Sequence, residues 1–261
     1  MNDKHTFAVC AYKESEYLEK CIRSLMKQSV KSKVIVCTST PCEFIDNIAR
    51  KYKLPVYVRE GKSDIRDDWN FAYNTADTDY VTIAHQDDVY NQEYVENMLR
   101  KSEKYNGDFL MFYTGYRPIK GDQITSDINC KLRAVLRKPM QVPLFARTRF
   151  MKRASLSLGN SICCPAVTYN KAKLGENVFT SELKFNIDWD TFLKLADMNG
   201  RFLYVPKSLT YYRVHDGATS KEFIENNNRI TEDTIMFNKF WPGWVTKIIM
   251  KFYKKAYDTY S

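Results

Sequence analysis

The sequence predicts an α/β protein: a mixed, mostly parallel sheet flanked by helices, with a helical tail at the C-terminus. Short apolar, β-branched runs alternate with stretches of helical periodicity from residue 6 to about residue 113. This alternation is typical of parallel βαβ units, whose sheets are covered on both faces. The 261 residues are enough for one large domain with a tail. No apolar run approaches the roughly 20 residues that a membrane-spanning helix needs.

The first half of the chain follows the alternation closely. Residues 6–11 are predicted to form a buried strand, and apolar side chains recur at helical spacing from Ser15 to Met26. Thr40, Pro41 and Glu43 match an N-cap, a proline at the first helical position and a capping-box acid. The other expected elements are strands at 33–37, 55–58, 80–84 and 107–113 and helices at 41–52, at 64–76 and after Asn91.

The second half is less regular. Ten basic residues against two acids lie between Arg117 and Arg153. Two interpretations stay open for this segment: a solvated, irregular connection, or a basic surface that faces phosphate or lipid headgroups. Regular structure is expected again at 163–169, in a helix at 188–198, in strands at 202–205 and 209–214, and in helices from residue 221 onward.

Charge and cysteine content narrow the functional classes. The formal charge of +9 favours an acidic partner, for which nucleic acid, anionic lipid and a nucleotide all qualify. Seven cysteines without a CxxC pair argue for reduced thiols and against a disulfide framework or structural zinc. The N-terminus has no secretory signal pattern, so a cytoplasmic protein is expected.

The segment YVTIAHQDDVY, residues 80–90, contains the most informative polar cluster. Its apolar run ends abruptly in His85, Gln86, Asp87 and Asp88. Adjacent carboxylates repel each other unless they are solvated, cap a helix or bind a cation. The carboxyl ends of strands line the ligand crevice of an open α/β sheet, which favours a metal and phosphate site. The alternative is a polar turn in which one aspartate caps the next helix.

Five motifs in this order resemble the family 2 glycosyltransferases. They are CAYKESEYLEKCIRSLMKQS from Cys10, Trp69-Asn70, HQDD at 85–88, DWD at 188–190 and YYRVHDGATS from Tyr211. The resemblance implies a GT-A fold and transfer of a sugar from a nucleotide diphosphate, with inversion at the anomeric carbon. It divides the chain into a catalytic domain at 1–218, with a nucleotide half to about 115 and an acceptor half from 116, and a helical tail at 219–261.

The resemblance also assigns the donor site. The first strand and its turn would hold the nucleotide, and the family's usual aspartate after the second strand is replaced here by Thr38 and Ser39. A UDP-sugar is the favoured donor. The implied nucleotide contacts are Ala11, Tyr12, Glu14, Thr38, Ser39, Arg66, His85, Gln86 and Asp87.

A divalent cation, Mn²⁺ or Mg²⁺, is implied as the cofactor. Asp87 would bind it, with Asp88 assisting or capping the following helix, and His215 is assigned to the metal or the diphosphate. His85 stands where the family's metal motif usually has an acid. Because Mg²⁺ prefers oxygen ligands, His85 is better seen as a ribose or phosphate contact, whereas Mn²⁺ would tolerate its imidazole.

Asp188 matches the position of the family's general base, which must take the proton of the acceptor hydroxyl. Asp188 and Asp190 also suit the first turn of a helix, so a capping role stays open. The implied acceptor or diphosphate contacts are Asn160, Ser161, Trp189, Asp190 and Arg213.

The tail carries aromatic and aliphatic residues at helical spacing between Trp241 and Phe252, flanked by lysines. Residues 241–255 are therefore expected to contact a membrane surface at the inner face, or to pack on the domain or on a second subunit of a homodimer. A glycan or polyprenyl-linked acceptor in cell-surface polysaccharide synthesis fits the first case. The alternatives are a nucleotidyltransferase, although CAYKESEY has no glycine for a phosphate loop, a basic nucleic-acid-binding protein, and a degenerate transferase without turnover. We expect no nucleic-acid partner.

Overall fold

One nine-stranded sheet runs through the protein, and the computed structural model describes it in residues 2–121, 123–126, 128–215 and 228–253. The strands are β1 (Asn2–Ala11), β2 (Ser32–Thr38), β3 (Val56–Val58), β4 (Tyr80–His85), β5 (Val89–Tyr90), β6 (Met111–Lys120), β7 (Gln123–Ile124), β8 (Val167–Asn170) and β9 (Phe202–Val214). Their order is β3-β2-β1-β4-β8-β6-β9-β5, and β7 pairs with β6.

Helices connect these strands and cover both faces of the sheet. They are α1 (Leu18–Met26), α2 (Glu43–Tyr52), α3 (Ile65–Thr75), α4 (Tyr94–Lys104), α5 (Ile128–Arg137), α6 (Arg149–Ala154), α7 (Lys171–Leu174), α8 (Ile187–Asp197), α9 (Asn228–Asn238) and α10 (Gly243–Tyr253). One core lies between the sheet and α1, α2 and α4, around Phe7 and Phe112. The other packs α3, α8 and the C-terminal helices against Val81 and Tyr113.

The parallel half of the sheet confirms the expected fold class. β1 pairs in parallel with β2 on one side and with β4 on the other, and β2 pairs in parallel with β3. β8 is antiparallel to β4 and to β6, and the parallel pair β6 and β9 completes the mixed sheet. Because the chain proceeds outward from β1 in one direction and returns to β4 on the other side, the carboxyl ends of β1 and β4 form a topological switch point.

The start of α2 differs from the capping prediction. Its N-cap residue is Cys42, which makes no side-chain cap hydrogen bond. The Thr40 hydroxyl instead accepts a hydrogen bond of 2.7 Å from the Lys13 backbone N–H. The Thr40 hydroxyl therefore links two βα loops and does not cap α2, contrary to the prediction from local sequence.

The long strand β9 replaces the two strands predicted at 202–205 and 209–214. Its pairing with β6 shifts register around Gly115, where the chain of β9 includes Pro206 and Lys207. A Cβ atom at Gly115 would meet the Pro206 carbonyl oxygen at 2.6 Å, so only glycine permits this approach. The polar interruption is thus a bulge within one strand and not a loop.

The basic segment is not an irregular connection in the described residues. β6 continues to Lys120, and α5 and α6 lie within the segment. Arg137 and Lys152 are buried. Lys152 donates to the carbonyl oxygens of Met198 and Gly200, and Arg149 and Arg153 both pair with Asp197. Much of the positive charge therefore stabilises the fold and does not form one continuous surface.

The predicted C-terminal helix is present as α10, and one of its faces packs on the domain. Met250 is buried, and the Trp241 indole N–H, just before α10, donates to the Ser157 carbonyl at 2.7 Å. Trp244, Ile248 and Phe252 point outward. Lys254 and Lys255 of the predicted segment lie outside the described residues. No helix in the described ranges is long and apolar enough to span a membrane.

His5 makes stability depend on pH. It is fully buried, its ring bonds Ser32 and Thr82 at 2.9 Å each, and burial lowers its pKa from 6.5 to about 3. The unfolded chain therefore binds a proton below pH 6.5 that the folded chain does not bind, so stability is lost as pH falls from 6.5 toward 3. Between pH 7 and pH 5 we expect this side chain alone to cost about 2 kcal/mol of the free energy of unfolding.

Urea denaturation of the wild type and of His5→Gln at both pH values measures this effect. The variant is expected to lose less stability than the wild type between pH 7 and pH 5. An equal loss in the two proteins would mean that His5 keeps an ordinary pKa in the folded state.

Candidate active site

The predicted site residues cluster at the carboxyl ends of β1, β2 and β4. Ala11 ends β1, Thr38 ends β2 and His85 ends β4. Residues that follow these strands meet across the switch point, as the sequence predicts.

The Gln86 side chain holds the loop after β1. The Tyr12 backbone N–H donates to Gln86 Oε1 at 2.9 Å, and Gln86 Nε2 donates to the Tyr12 carbonyl at 3.0 Å. This two-way contact fixes the backbone of Tyr12 and leaves its ring 47% exposed. Lys13, with φ +52°, lies in the left-handed region, and its ammonium group is 5.0 Å from the Tyr12 ring centroid. The exposed ring is available to pack on a ligand.

A polar cluster lies beside the end of β2. The Asp68 carboxylate of α3 accepts from Ser39 Oγ at 3.0 Å, Ser63 Oγ at 2.8 Å and Arg59 Nε at 2.7 Å. The sequence assigns Ser39 to the nucleotide but gives no signal for Asp68, because the pairing crosses two βα units. The structure therefore brings an aspartate to the place where the resemblance found one missing.

The His85 imidazole is held between an indole ring and a buried acid. The Trp69 ring stacks on it with centroids 5.2 Å apart and an interplanar angle of 22°, and Nδ1 is 3.8 Å from Asp88 Oδ2. Burial lowers the pKa of His85 to about 4, against the opposing effect of Asp87. His85 Nε2 has no hydrogen-bond partner among the described residues. A neutral ring with a nitrogen still to be satisfied suits a ribose or phosphate contact.

Asp87 and His215 come together from distant parts of the chain. His215 Nε2 is 3.1 Å from Asp87 Oδ2, and both side chains are partly exposed. Arg213 stabilises the turn after β4, because its Nε donates a hydrogen bond to the Asp87 carbonyl at 3.0 Å. Tyr17, which the sequence did not assign to the site, contacts His215 and Arg213. Its ring centroid is 5.0 Å from that of His215 and 4.5 Å from the Arg213 guanidinium.

Asp88 occupies a different environment from Asp87. It is 2% exposed, and its Oδ1 accepts the Arg213 backbone N–H at 2.9 Å. Burial, assisted by the charge of Asp87, raises the pKa of Asp88 well above its usual value, although the Arg213 N–H opposes the shift. Its Oδ2 has no hydrogen-bond partner within the described ranges. The predicted metal role of Asp88 stays a prediction, and the contacts it makes join β9 to the turn after β4.

The Asp87 carboxylate and the His215 imidazole are the two side chains that could hold a cation. Among the described residues no three His, Cys, Asp or Glu side chains converge as metal ligands. Two protein ligands of this kind fit a cation that takes its other ligands from phosphate oxygens and water, as Mg²⁺ sites do. The imidazole favours Mn²⁺ over Mg²⁺. The residues therefore fit the implied metal only with a phosphate-bearing ligand bound.

Asp188 lies in the first turn of α8 with two hydrogen-bond donors. Asn160 Nδ2 donates to its Oδ2 and the Trp189 N–H donates to its Oδ1, each at 2.7 Å. Burial raises the pKa of the carboxyl from 3.8 to about 6, although these donors and Arg133 oppose the shift. A carboxylate with a pKa near neutrality is suited to accept a proton.

Trp189 and Asp190 do not share a surface with Asp188, which corrects their assignment as acceptor or diphosphate contacts. Trp189 is fully buried and its indole N–H donates to the Leu156 carbonyl at 3.1 Å. Asp190 pairs with Lys239 at 2.5 Å and with Lys194 at 3.1 Å. Their places in the core follow from the helical turn, which directs the neighbours of Asp188 inward.

The other predicted residues differ in their partners and in their exposure. Asn160 is held against Asp188, and Arg66 lies in the first turn of α3, bonded to Asp67 and to the Ser181 carbonyl. Ser161 is buried, and its carbonyl accepts from Arg137. Glu14 is exposed in the loop after β1.

The two parts of the candidate site share a neighbour. Burial raises the pKa of the Cys163 thiol, and the charges of Asp88 and Asp188 both add to the shift, so both carboxylates lie near this residue. The candidate proton acceptor therefore lies in the same region of the protein as the residues that follow β4.

The chain is similar to known proteins in sequence and in fold. The sequence model of the Glycosyl transferase family 2 matches residues 6–179. The curated Glycosyltransferase GlyA of Streptococcus pneumoniae is 22% identical over 241 residues, which cover 86% of this chain and 32% of the relative. The chain thus spans about a third of that relative's length.

Solved structures share the fold. TarS of S. aureus, residues 1–349 in complex with UDP-GlcNAc, superposes with a TM-score of 0.60 at 16% identity and covers 95% of this chain and 70% of its own. The mannosyltransferase PcManGT from Pyrobaculum calidifontis, solved with GDP-Man and Mn²⁺, gives a TM-score of 0.65 at 15% identity over 90% of this chain and 63% of its own.

Proposed function

Because the chain belongs to glycosyl transferase family 2, we propose that it is a metal-dependent, inverting hexosyltransferase that moves a sugar from a nucleotide diphosphate, with a UDP-sugar favoured, to an acceptor hydroxyl. The observation that carries the proposal is the contact of 3.1 Å between Asp87 and His215, which lies in the same region of the fold as Asp188. We keep the division into a nucleotide half at 1–115, an acceptor half at 116–218 and a tail at 219–261.

The donor half would bind the nucleotide by stacking and by polar contacts. The exposed Tyr12 ring offers a face to the base or ribose, and the neutral His85 ring offers its Nε2. Ser39 and Asp68 supply the polar group expected after β2. A bound divalent cation, held by Asp87 and His215, would neutralise charge on the departing diphosphate. These nucleotide-sugar and metal roles are those that the UDP-GlcNAc and the GDP-Man and Mn²⁺ complexes of the similar structures suggest.

The acceptor half would supply the base. The Asp188 carboxylate takes the proton of the acceptor hydroxyl while the hydroxyl oxygen bonds to the anomeric carbon. The bond from that carbon to the diphosphate oxygen breaks on the opposite face. Asn160 orients the carboxylate through its 2.7 Å hydrogen bond. The same bond favours the ionised form that can accept the proton.

The acceptor in this proposal is a glycan or lipid-linked glycan of the cell surface, with the reaction at the cytoplasmic face of the membrane. A nucleic-acid-binding role is less well supported, because Arg137 and Lys152 are buried and Arg149 and Arg153 pair with Asp197. A continuous basic surface would be needed for that role.

Calorimetric titration of UDP, dTDP, GDP and CDP with and without Mn²⁺ tests the donor site. We expect one nucleotide to bind at least about tenfold more tightly with Mn²⁺ than without it, because the cation links Asp87 to the phosphates. Asp68→Asn is expected to weaken the preferred nucleotide and to reduce discrimination among the four bases. Failure of all four to bind under either condition would contradict the proposed donor site.

A further inference from the structure

Glu232 of α9 binds the start of α8 through three consecutive backbone N–H groups. The Lys184 N–H donates to its Oε1 at 2.7 Å, and the Phe185 and Asn186 N–H groups donate to its Oε2 at 2.8 Å and 2.9 Å. Successive N–H groups in a turn form an anion-binding concavity. Here the anion is a side chain from the segment that the sequence assigns to the tail, so α9 holds the loop that leads into α8.

Asn186 transmits this contact to the first turn of α8. Its carbonyl oxygen accepts the Asp190 N–H at 3.0 Å, which is the first hydrogen bond of the helix. Its side-chain Nδ2 donates to Asp233 Oδ1 at 2.7 Å, and the residue is 4% exposed. Because two neighbouring acids of α9 fix both the backbone and the side chain of Asn186, the position of Asp188, two residues further on, is fixed with it.

α9 also contacts the two residues that follow Asp188. The ring centroid of Trp189 is 5.1 Å from that of Phe237, at an interplanar angle of 85°. Asp190 pairs with the lysine that directly follows α9. The Asp188 carboxylate instead accepts a hydrogen bond from Asn160 at 2.7 Å. The turn that carries the candidate base is therefore held by α9 through the neighbours of Asp188, which leaves the carboxylate itself to the acceptor half.

We propose that Glu232 is a positioning residue for the base: it fixes the start of α8 so that the Asp188 carboxylate is held against Asn160. The proposal rests on the proposed function, because it concerns the base of the same reaction. Glu232 is bonded to backbone N–H groups of the loop and acts through α8, not on the substrates. Without its carboxylate the three N–H groups would turn to water, and the first turn of α8 would hydrate with them.

Hydration of this turn has a defined effect on the pKa of Asp188. Burial raises the pKa of this carboxyl to about 6, so a more hydrated Asp188 would have a pKa closer to its ordinary value of 3.8. Removal of the Glu232 charge alone would act in the same direction. The charged and titratable side chains that face Asp188 from α5, from β8 and from the residues just before β8 are Arg133, Tyr169, Cys163 and Cys164. These groups are unchanged in variants of Glu232, so a variant that keeps the hydrogen bonds without the charge separates position from charge.

Glu232→Ala removes the contact, whereas Glu232→Gln removes the charge and has an amide oxygen that can still accept from Phe185 and Asn186. We expect kcat of sugar transfer to fall about tenfold in Glu232→Ala and the acid limb of kcat/KM to move down by about one pH unit. Glu232→Gln should stay within about threefold of the wild type in kcat and within about 0.3 pH unit in the acid limb. Glu182→Ala is the matched control, because it removes an exposed carboxylate from the same loop, two residues before Lys184, and should change neither quantity.

The pKa of Asp188 can also be followed without turnover. Carbon-13 NMR of protein labelled at the aspartate carboxyl carbons measures it, with Asp188→Asn to assign the signal, and hydrogen exchange of the amides at 184–186 reports the loss of the Glu232 contact. We expect faster exchange and a pKa about one unit lower in Glu232→Ala. Glu232→Asp, which keeps the charge on a shorter side chain, should shift both quantities in the same direction and replaces the alanine variant if that variant does not fold.

Three results would overturn the proposal: unchanged exchange of these amides in Glu232→Ala, an unchanged pKa of Asp188 although the amides exchange faster, or equal pKa shifts in Glu232→Ala and Glu232→Gln. The third result would make the effect one of charge and not of position. Absence of sugar transfer by the wild type would instead contradict the proposed function, and the NMR titration would still decide whether Glu232 holds Asp188 in place.

Discussion

Asp188→Asn is expected to lower kcat about a thousandfold and to leave nucleotide affinity unchanged. A positioned general base contributes about 10²- to 10⁴-fold to a rate. The amide has nearly the shape of the carboxylate but cannot take the acceptor proton. Single-turnover transfer of a radiolabelled sugar, together with calorimetric titration of the nucleotide, measures both quantities on the same protein.

The pH dependence of the wild type gives the same base a second signature. The pKa of Asp188 is raised by burial to about 6, and the base must be deprotonated to act. We therefore expect kcat/KM to be constant above about pH 6.5 and to fall about tenfold per pH unit below pH 6. The acid limb should be absent from the residual activity of Asp188→Asn. A wild-type kcat/KM at pH 5 that equals its value at pH 7 would exclude Asp188 as the base.

Asp190→Asn is the matched control, two residues along the same helix. Asp190 is buried but its partners Lys239 and Lys194 are partly exposed, so its neutralisation removes two solvent-screened ion pairs and is expected to lower stability by about 1 kcal/mol. The acid limb of kcat/KM should stay near pH 6. Asp188→Asn should have the opposite profile, because it removes a buried carboxylate whose pKa is raised and so costs little stability at pH 7. Equal effects on activity in the two variants would point to damage of α8 and not to loss of a base.

The sequence predicts the parallel half of the fold well because burial and periodicity coincide there. The strand that ends at Ala11 is buried from His5 to Val9, the strand that ends at His85 is buried from Tyr80 to Ala84, and both lie in the centre of the sheet. α5 is different: its apolar residues Ile128, Leu132 and Val135 are more than half exposed. The sequence pattern of α5 therefore does not distinguish a surface helix from an irregular basic segment.

Site residues that directly follow a strand were predictable from the sequence. Those that reach the site through contacts between distant elements were not. His85, Gln86 and Asp87 follow β4 directly, so position in the chain places them at the switch point. Asp68 and Tyr17 reach the site only because α3 packs beside β2 and α1 packs beside β5. Their roles depend on tertiary contacts, for which no local sequence pattern exists.

Asp87→Asn and Asp88→Asn are expected to differ greatly, although the two carboxylates are adjacent. Asp87 is partly exposed and contacts His215 at 3.1 Å, so its replacement removes one of two candidate cation ligands. We expect the Mn²⁺-dependent part of nucleotide affinity to fall about a hundredfold. Electron paramagnetic resonance of free and bound Mn²⁺ in the presence of the nucleotide reports the loss independently of turnover.

Asp88→Asn should retain Mn²⁺-dependent nucleotide binding within about threefold. Burial raises the pKa of Asp88 well above its usual value, so the side chain is already neutral over a wider pH range than an exposed aspartate. An amide of the same shape can accept the Arg213 N–H through its oxygen and keep the junction of β9 with the turn. An equal loss in both variants would show that Asp88 ligates the cation, which would require the turn after β4 to rearrange when donor binds. A loss in Asp88→Asn alone would exclude Asp87 as the principal ligand, because the partly exposed carboxylate beside His215 would then hold no cation.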